Sequence, residues 1–153
     1  MKPQITSTQG FSLLELMTVV VIVGILAAVA IPNMGGWMAK RHLNSAARTM
    51  SAHFNLARSE AVTGNRIVTI LFNPGDDSYR VVAGATTIVD QTAMPDAIDL
   101  EIKTGFTLNS GGFNSRGLAT VSGSVKLTSA SAPSADNKRT ITISPGGSIS
   151  ITP

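Results

Sequence analysis

Gly10-Phe11-Ser12-Leu13-Leu14-Glu15-Leu16 leads into an apolar run that continues to Ile31, and this stretch decides the fold. From Phe11 to Ile31 there are 21 residues whose only charge is Glu15, and from Leu16 to Ala39 there are 24 with none. At 1.5 Å rise per residue, 21 helical residues reach roughly 32 Å, the thickness of a hydrocarbon core. The segment is long enough to cross a bilayer. On the residues alone three readings compete: a plain anchor, a secretory signal peptide, and a more specialised helix. Ala28-Val29-Ala30 fits an A-x-A cleavage site that would release residues 31 onward. Against it, residues 1–10 carry a single Lys, and a carboxylate stands inside the run. A central carboxylate in a spanning helix costs about 2.5–3.5 kcal/mol on insertion scales and less near an end. Glu15 therefore either snorkels to the interface or has a use of its own.

A short polar leader, Gly10, Phe11, the spaced Glu15 and a long apolar run together resemble the class III signal of type IV prepilins and type II secretion pseudopilins. The resemblance implies that residues 1–10 are a leader peptide and that a prepilin peptidase cuts between Gly10 and Phe11. It also implies an N-methylated Phe11, with Glu15 as the fifth mature residue. Cleavage leaves a cationic amine at Phe11. An acid on a neighbouring subunit can pair with that amine in a low-dielectric filament core, and a pair formed only on assembly sets register. Gly24 and Pro32 fall where many pilins carry a helix-weakening Gly and Pro. Pro32 removes an i to i−4 bond and Gly24 adds backbone freedom, so local melting between them is expected. The alternative is two incidental breakers near a membrane exit.

Charge alone argues for the opposite orientation. Lys2 and the initial amine give two positive charges before the span, whereas Lys40, Arg41 and Arg48 give three after it. Long domains translocate largely regardless of charge. The resembling family is also processed from the cytoplasmic side, which places the C-terminal part in the periplasm.

Beyond Gly35-Gly36, where a kink is expected, apolar residues recur at Leu43, Ala46, Met50, Phe54, Ala57 and Ala61. Steps of three and four make one helical stripe. Gly64-Asn65 is a helix-ending signal. One helix of about 50 residues, roughly 80 Å if straight, is thus expected from Phe11 to near Gly64. Residues 11–31 form its transmembrane or filament-core half, and residues 32–65 its amphipathic half. Leu56-Ala57-Arg58-Ser59-Glu60-Ala61-Val62 resembles the helix end of the H-type pseudopilin and FimT-type minor pilin family (GspH/FimT). Residues 40–66 carry Lys40, Arg41, Arg48, Arg58 and Arg66 against Glu60, a net of +4. A solvated face is the default meaning, with lipid headgroups or an acidic neighbouring subunit as alternatives. His42 and His53 return to nearly the same face about 16 Å apart, too far to share a metal.

Residues 66–153 read as a β-rich periplasmic domain. From 67 onward there are 22 Ser or Thr and 9 Gly among 87 residues, with period-2 alternation. Ile67 to Phe72 is expected to be a central strand apolar on both faces. Asn73-Pro74-Gly75-Asp76 should turn before a strand over Tyr79 to Ala83. Ile98, Leu100 and Ile102 should face in, opposite Asp99, Glu101 and Lys103. Ile141 and Ile143, Pro145-Gly146-Gly147, then Ile149 and Ile151 predict a closing hairpin. Gly111 to Gly117 and Ser129 to Asn137 are expected to be mobile surface loops. The fold class is α+β: a long N-terminal helix against a small antiparallel β domain.

The composition excludes much. A chain of 153 residues implies one modest domain, and 14% charged residues with 43% hydrophobic residues exclude intrinsic disorder. With no cysteine there is no disulfide scaffold, thiolate metal site or thiol nucleophile. Asp76-Asp77 with Asn73 and Ser78 lacks calcium-loop spacing and reads as an acidic turn. Neither histidine has an evident nucleophile partner and no phosphate-binding glycine loop precedes a helix, so no catalysis, cofactor or metal is expected. Some FimT-type minor pilins take up DNA through a C-terminal Gly-Arg-x-Arg hairpin. The corresponding stretch here is Gly147-Ser148-Ile149-Ser150, with serines in place of both arginines. Lys138-Arg139 offers only a small basic spot, and residues 67–153 sum to 6 basic against 7 acidic. Nucleic acid is disfavoured as a partner. The expected product is a structural minor pilin of a type IV pilus, with an H-type minor pseudopilin of a type II secretion system as the alternative. Its implied partners are other pilin or pseudopilin subunits, the prepilin peptidase and the inner membrane.

Overall fold

The computed structural model describes residues 10–30 and 34–153. The chain divides into two compact units at Gly35/Gly36. In the first, α1 runs over Leu13–Ala30. Ser12 opens it by accepting a 3.1 Å hydrogen bond at its Oγ from the Glu15 amide, which satisfies one of the free donors of the first turn. Gly24 sits inside α1 without interrupting it. Pro32 lies outside the described residues, as does the leader up to residue 9.

The second helix, α2, spans Met34–Thr63. The expected single helix is thus described as two pieces whose junction lies outside the described residues. Gly35-Gly36 does not break the chain but falls in the first turn of α2. There Gly36 lies 3.5 Å, measured from an added Cβ, from the Pro133 ring. Each residue of the expected stripe, Leu43, Ala46, Met50, Phe54, Ala57 and Ala61, is buried, joined by Ala47. The helix ends as a Schellman motif. Asn65 takes φ 46°, the Arg66 amide donates to the Ala61 carbonyl at 3.1 Å and the Asn65 amide to the Val62 carbonyl at 3.3 Å.

Two antiparallel sheets cover the stripe. The strands are β1 (Val68–Asn73), β2 (Ser78–Ala83), β3 (Thr86–Ala93), β4 (Ile98–Thr104), β5 (Ser110–Phe113), β6 (Ala119–Val121), β7 (Gly123–Ser129), β8 (Lys138–Ile143) and β9 (Ile149–Thr152). One sheet has the order β3-β2-β1-β5-β6 and the other β4-β7-β8-β9. Strand β1 is central, as expected, but it buries Val68, Ile70 and Phe72 on one face only, and Ile67 is exposed ahead of it. Strand β4 alternates as expected, with Ile98 and Leu100 buried and Ile102 half-buried. The closing hairpin pairs Ile141 with Ile151 and Ile143 with Ile149.

Gly111–Gly117 departs from expectation. Its first part is strand β5, buried between β1 and β6. Its glycines signal close approach rather than mobility: a Cβ on Gly112 would meet the Val68 carbonyl oxygen at 2.3 Å, and one on Gly111 the Phe106 ring at 2.6 Å. Ser129–Asn137 is a loop containing a short 3-10 turn at Ser134–Asp136. It is nonetheless tied down, because Asp136 pairs with Lys40 on α2 and with Arg139 at 2.5 Å.

The core is one cluster uniting α2 with both sheets. Phe54 stands edge-on to Phe72 and Tyr79, with ring centroids 6.0 and 6.1 Å away. Nearer its start, α2 contacts the second sheet, where Arg139 donates from Nε to Asn44 Oδ1 at 2.7 Å.

Candidate functional site

Among the described residues no three His, Asp or Glu side chains gather as metal ligands. His53 makes a 2.7 Å hydrogen bond between its Nδ1 and the Tyr79 hydroxyl, and burial pushes the Tyr79 phenol above its ordinary value. Both groups are thereby committed to packing. Asp77 Oδ1 accepts from the Leu100 amide at 2.7 Å and Asp76 Oδ2 from Asn73 Nδ2 at 2.5 Å, so the acidic turn joins the sheets instead of forming a cation loop.

The basic spot at Lys138-Arg139 needs correction. Arg139 is only 8% exposed, held by Asp136 and Asn44, and is an internal tie rather than a cation offered to a phosphate backbone. Of the five cations over residues 40–66, three are likewise engaged. Lys40 pairs with Asp136, Arg66 lies 3.6 Å from Glu60, and Arg58 donates to the Gly117 carbonyl at 3.0 Å. Those last contacts explain the segment Leu56–Val62 in physical terms: Ala57 and Ala61 let the sheets approach, and Arg58 clamps the turn before β6.

What remains unsatisfied is α1 itself. Phe11 is 83% exposed, and from Leu13 to Leu26 every large apolar side chain is more than half exposed. A helix apolar on all faces is stable only when lipid or other protein covers it. At 1.5 Å per residue its 18 residues reach about 27 Å, and among the described residues no helix is long and apolar enough to cross a membrane. The expected span of residues 11–31 includes one residue, Ile31, outside the described set. Glu15 is exposed, and among the described residues its carboxylate has no hydrogen-bond or ion-pair partner. Gly10 and Phe11 precede α1 as exposed, non-helical chain. The S-x-x-E spacing of Ser12 and Glu15 is a helix-capping signal, and Ser12 Oγ does cap the Glu15 amide.

A family model described as the type II transport protein GspH matches residues 46–147. The chain belongs to the GspH family. A second model, the prokaryotic N-terminal methylation motif, matches residues 5–31, the stretch holding Gly10, Phe11 and Glu15. Two fimbrial proteins of Pseudomonas aeruginosa are each 38% identical over 82 residues, 54% of this chain and 53% of theirs, so the match spans about half of those relatives. Among solved structures, the minor pseudopilin EpsH from the type 2 secretion system of Vibrio cholerae superposes with TM-score 0.61 at 12% identity, covering 72% of this chain and 96% of that one. The type IV minor pilin FimU of Pseudomonas aeruginosa gives 0.57 at 20% identity, covering 76% and 92%. At these identities the likeness is one of fold. The α+β pilin-like architecture is thus shared with a pseudopilin and a pilin, and GspH family members are structural subunits, not enzymes.

Proposed function

We propose that this GspH family chain is a minor pilin-like subunit, cut between Gly10 and Phe11 by a prepilin peptidase and N-methylated at Phe11. Residues 11–31 anchor it in the bacterial inner membrane with the β domain of residues 66–153 in the periplasm. It then leaves the bilayer as part of a filament, packed through this helix against other pilin or pseudopilin subunits. The observation that carries this reading is a helix whose large apolar side chains from Leu13 to Leu26 are all more than half exposed, headed within a methylation motif by Glu15, whose carboxylate has no partner among the described residues. Lipid covers such a helix before assembly and neighbouring helices cover it afterwards. In the filament the Glu15 carboxylate pairs with the methylated amine of a neighbour, Gly24 and Pro32 supply the place where the helix extends, and residues 32–65 carry the globular domain.

A type IV pilus is the first choice, supported by the fimbrial relatives and by Pro32. An H-type minor pseudopilin of a type II secretion system is the alternative, supported by the GspH model match. DNA uptake is disfavoured, since Arg139 is engaged and serines stand at Ser148 and Ser150. Cross-linking in the native host separates the first two readings by whether the neighbours are pilus or secretion subunits. Gly10→Glu should block processing. Glu15→Ala should leave cleavage intact and lower incorporation into sheared filaments roughly tenfold or more, equivalent to about 1.4 kcal/mol per subunit. Normal incorporation of Glu15→Ala would show that no such pair forms.

A further inference from the structure

Trp37, Arg41, Ser45 and Arg48 are all exposed and follow one another along α2 at steps of four, four and three. At about 100° per residue they form a single row roughly opposite the buried stripe of Leu43, Ala46, Met50 and Phe54. Trp37 is 54% exposed and the neighbouring Met38 49%. The Arg41 guanidinium lies 4.7 Å from the Trp37 ring centroid. Trp37, Met38, Arg41, His42 and Ser45 surround a surface hollow of about 340 Å³. A second hollow follows along the row, lined by Arg41, Asn44, Ser45, Arg48 and Thr49. Among the described residues neither Arg41 nor Arg48 belongs to an ion pair, whereas on the same helix Lys40 pairs with Asp136 and Arg58 is held by the Gly117 carbonyl; outside α2, Arg80, Lys103, Arg116 and Lys138 are likewise in no ion pair.

The same face changes character further along. Ala52, Asn55 and Ser59 continue it with no charge and no aromatic ring. On this face of α2 the charged and aromatic side chains thus lie in its first half, Met34 to Arg48, and the chain's single tryptophan, Trp37, is seven residues beyond Ala30 in sequence. An amphipathic aromatic with adjacent arginines, at that distance from an apolar run, matches a membrane interface: the ring sits at headgroup level and guanidiniums bind phosphates. An acidic protein face would complement the arginines but gives no reason for the exposed Trp37 and Met38, or for the loss of charge beyond Arg48.

We propose that the Trp37–Arg41–Arg48 face of α2 docks on the headgroups of anionic phospholipids on the periplasmic side of the membrane, holding the subunit at the surface before assembly. This rests on the anchored-subunit reading above. Two surface arginines on lipid phosphates make a weak, salt-sensitive contact, so it is reversible and yields when the subunit is extracted.

Because Trp37 is the only tryptophan, its fluorescence reports the contact in the full chain. The chain is reconstituted into phosphatidylcholine vesicles with and without phosphatidylglycerol, and quenching by headgroup-level nitroxide lipids is read at low and high salt. The proposal expects at least twofold stronger quenching with phosphatidylglycerol, reversed by salt and lost in the Arg41→Glu, Arg48→Glu double variant. Equal quenching in both vesicles, unchanged in that variant, overturns it. If soluble polyglutamate shifts Trp37 emission while phosphatidylglycerol does not, the face belongs to an acidic protein and the lipid assignment falls. Carbonate extraction of the same vesicles separates the two levels. A chain that is stripped off overturns the anchored reading and this inference together, and one that resists stripping yet shows no lipid-dependent quenching overturns only the inference.

Discussion

At Gly147 the backbone takes φ 78°, and a Cβ added there would stand 2.0 Å from the Gly117 carbonyl oxygen. Gly117 is itself at φ 74° and accepts from Arg58, so helix, β5–β6 turn and closing hairpin meet at one point. Gly147→Ala is expected to cost more than about 1 kcal/mol from the left-handed conformation alone, with the clash adding to it. Denaturant unfolding of the full chain in mild detergent measures this, and an unchanged midpoint contradicts the packing described. The turn at Pro145-Gly146-Gly147 was legible from its residues, but the role of Arg58 was not, because its partner is a carbonyl 59 positions away. Arg139 was misleading for the same reason. Beside Lys138 it reads as a surface cation, and only the fold brings Asn44 and Asp136 to it.

Among the elements, α2 was the most legible, since a period of three and four needs only the chain's own sequence to define a buried face. Phe54→Ala removes the ring that Phe72 and Tyr79 pack against and should destabilise the fold by about 3–5 kcal/mol. A loss under 1 kcal/mol on the ~25 °C denaturation curve would place Phe54 outside the core. Strand β5 was hidden because glycine carries no period-2 signal, and its burial depends on Val68 and Phe106, which lie elsewhere in the sequence. The contact between the start of α2 and the loop before β8 carries a pH signature. Hydrogen bonds from Lys40 and then Arg139 hold the Asp136 carboxyl below its usual value. A depressed folded value means the unfolded chain binds more protons, so this contribution is full above about pH 4 and is lost as pH falls through the folded value. Stability should therefore drop on acidification below pH ~4, and Asp136→Asn should flatten that part of the profile. Parallel profiles for the two proteins would show that Asp136 is not the group responsible.

At the scale of the whole molecule, a β domain with a satisfied core is joined to a helix whose large apolar side chains, from Leu13 to Leu26, are each more than half exposed. The sequence made that contrast readable from composition alone. The motif at Gly10, Phe11 and Glu15 was readable only through its resemblance, since a lone carboxylate near a helix start also serves as part of a cap. What the helix is for turns on where the mature chain begins. The intact mass and N-terminal residue of the protein, taken from its own membranes with and without the prepilin peptidase, test this directly. A chain starting at N-methylated Phe11 in a peptidase-dependent manner is the expected result. A chain starting at Ile31 in the soluble fraction would contradict it and leave a conventionally secreted protein with no filament role.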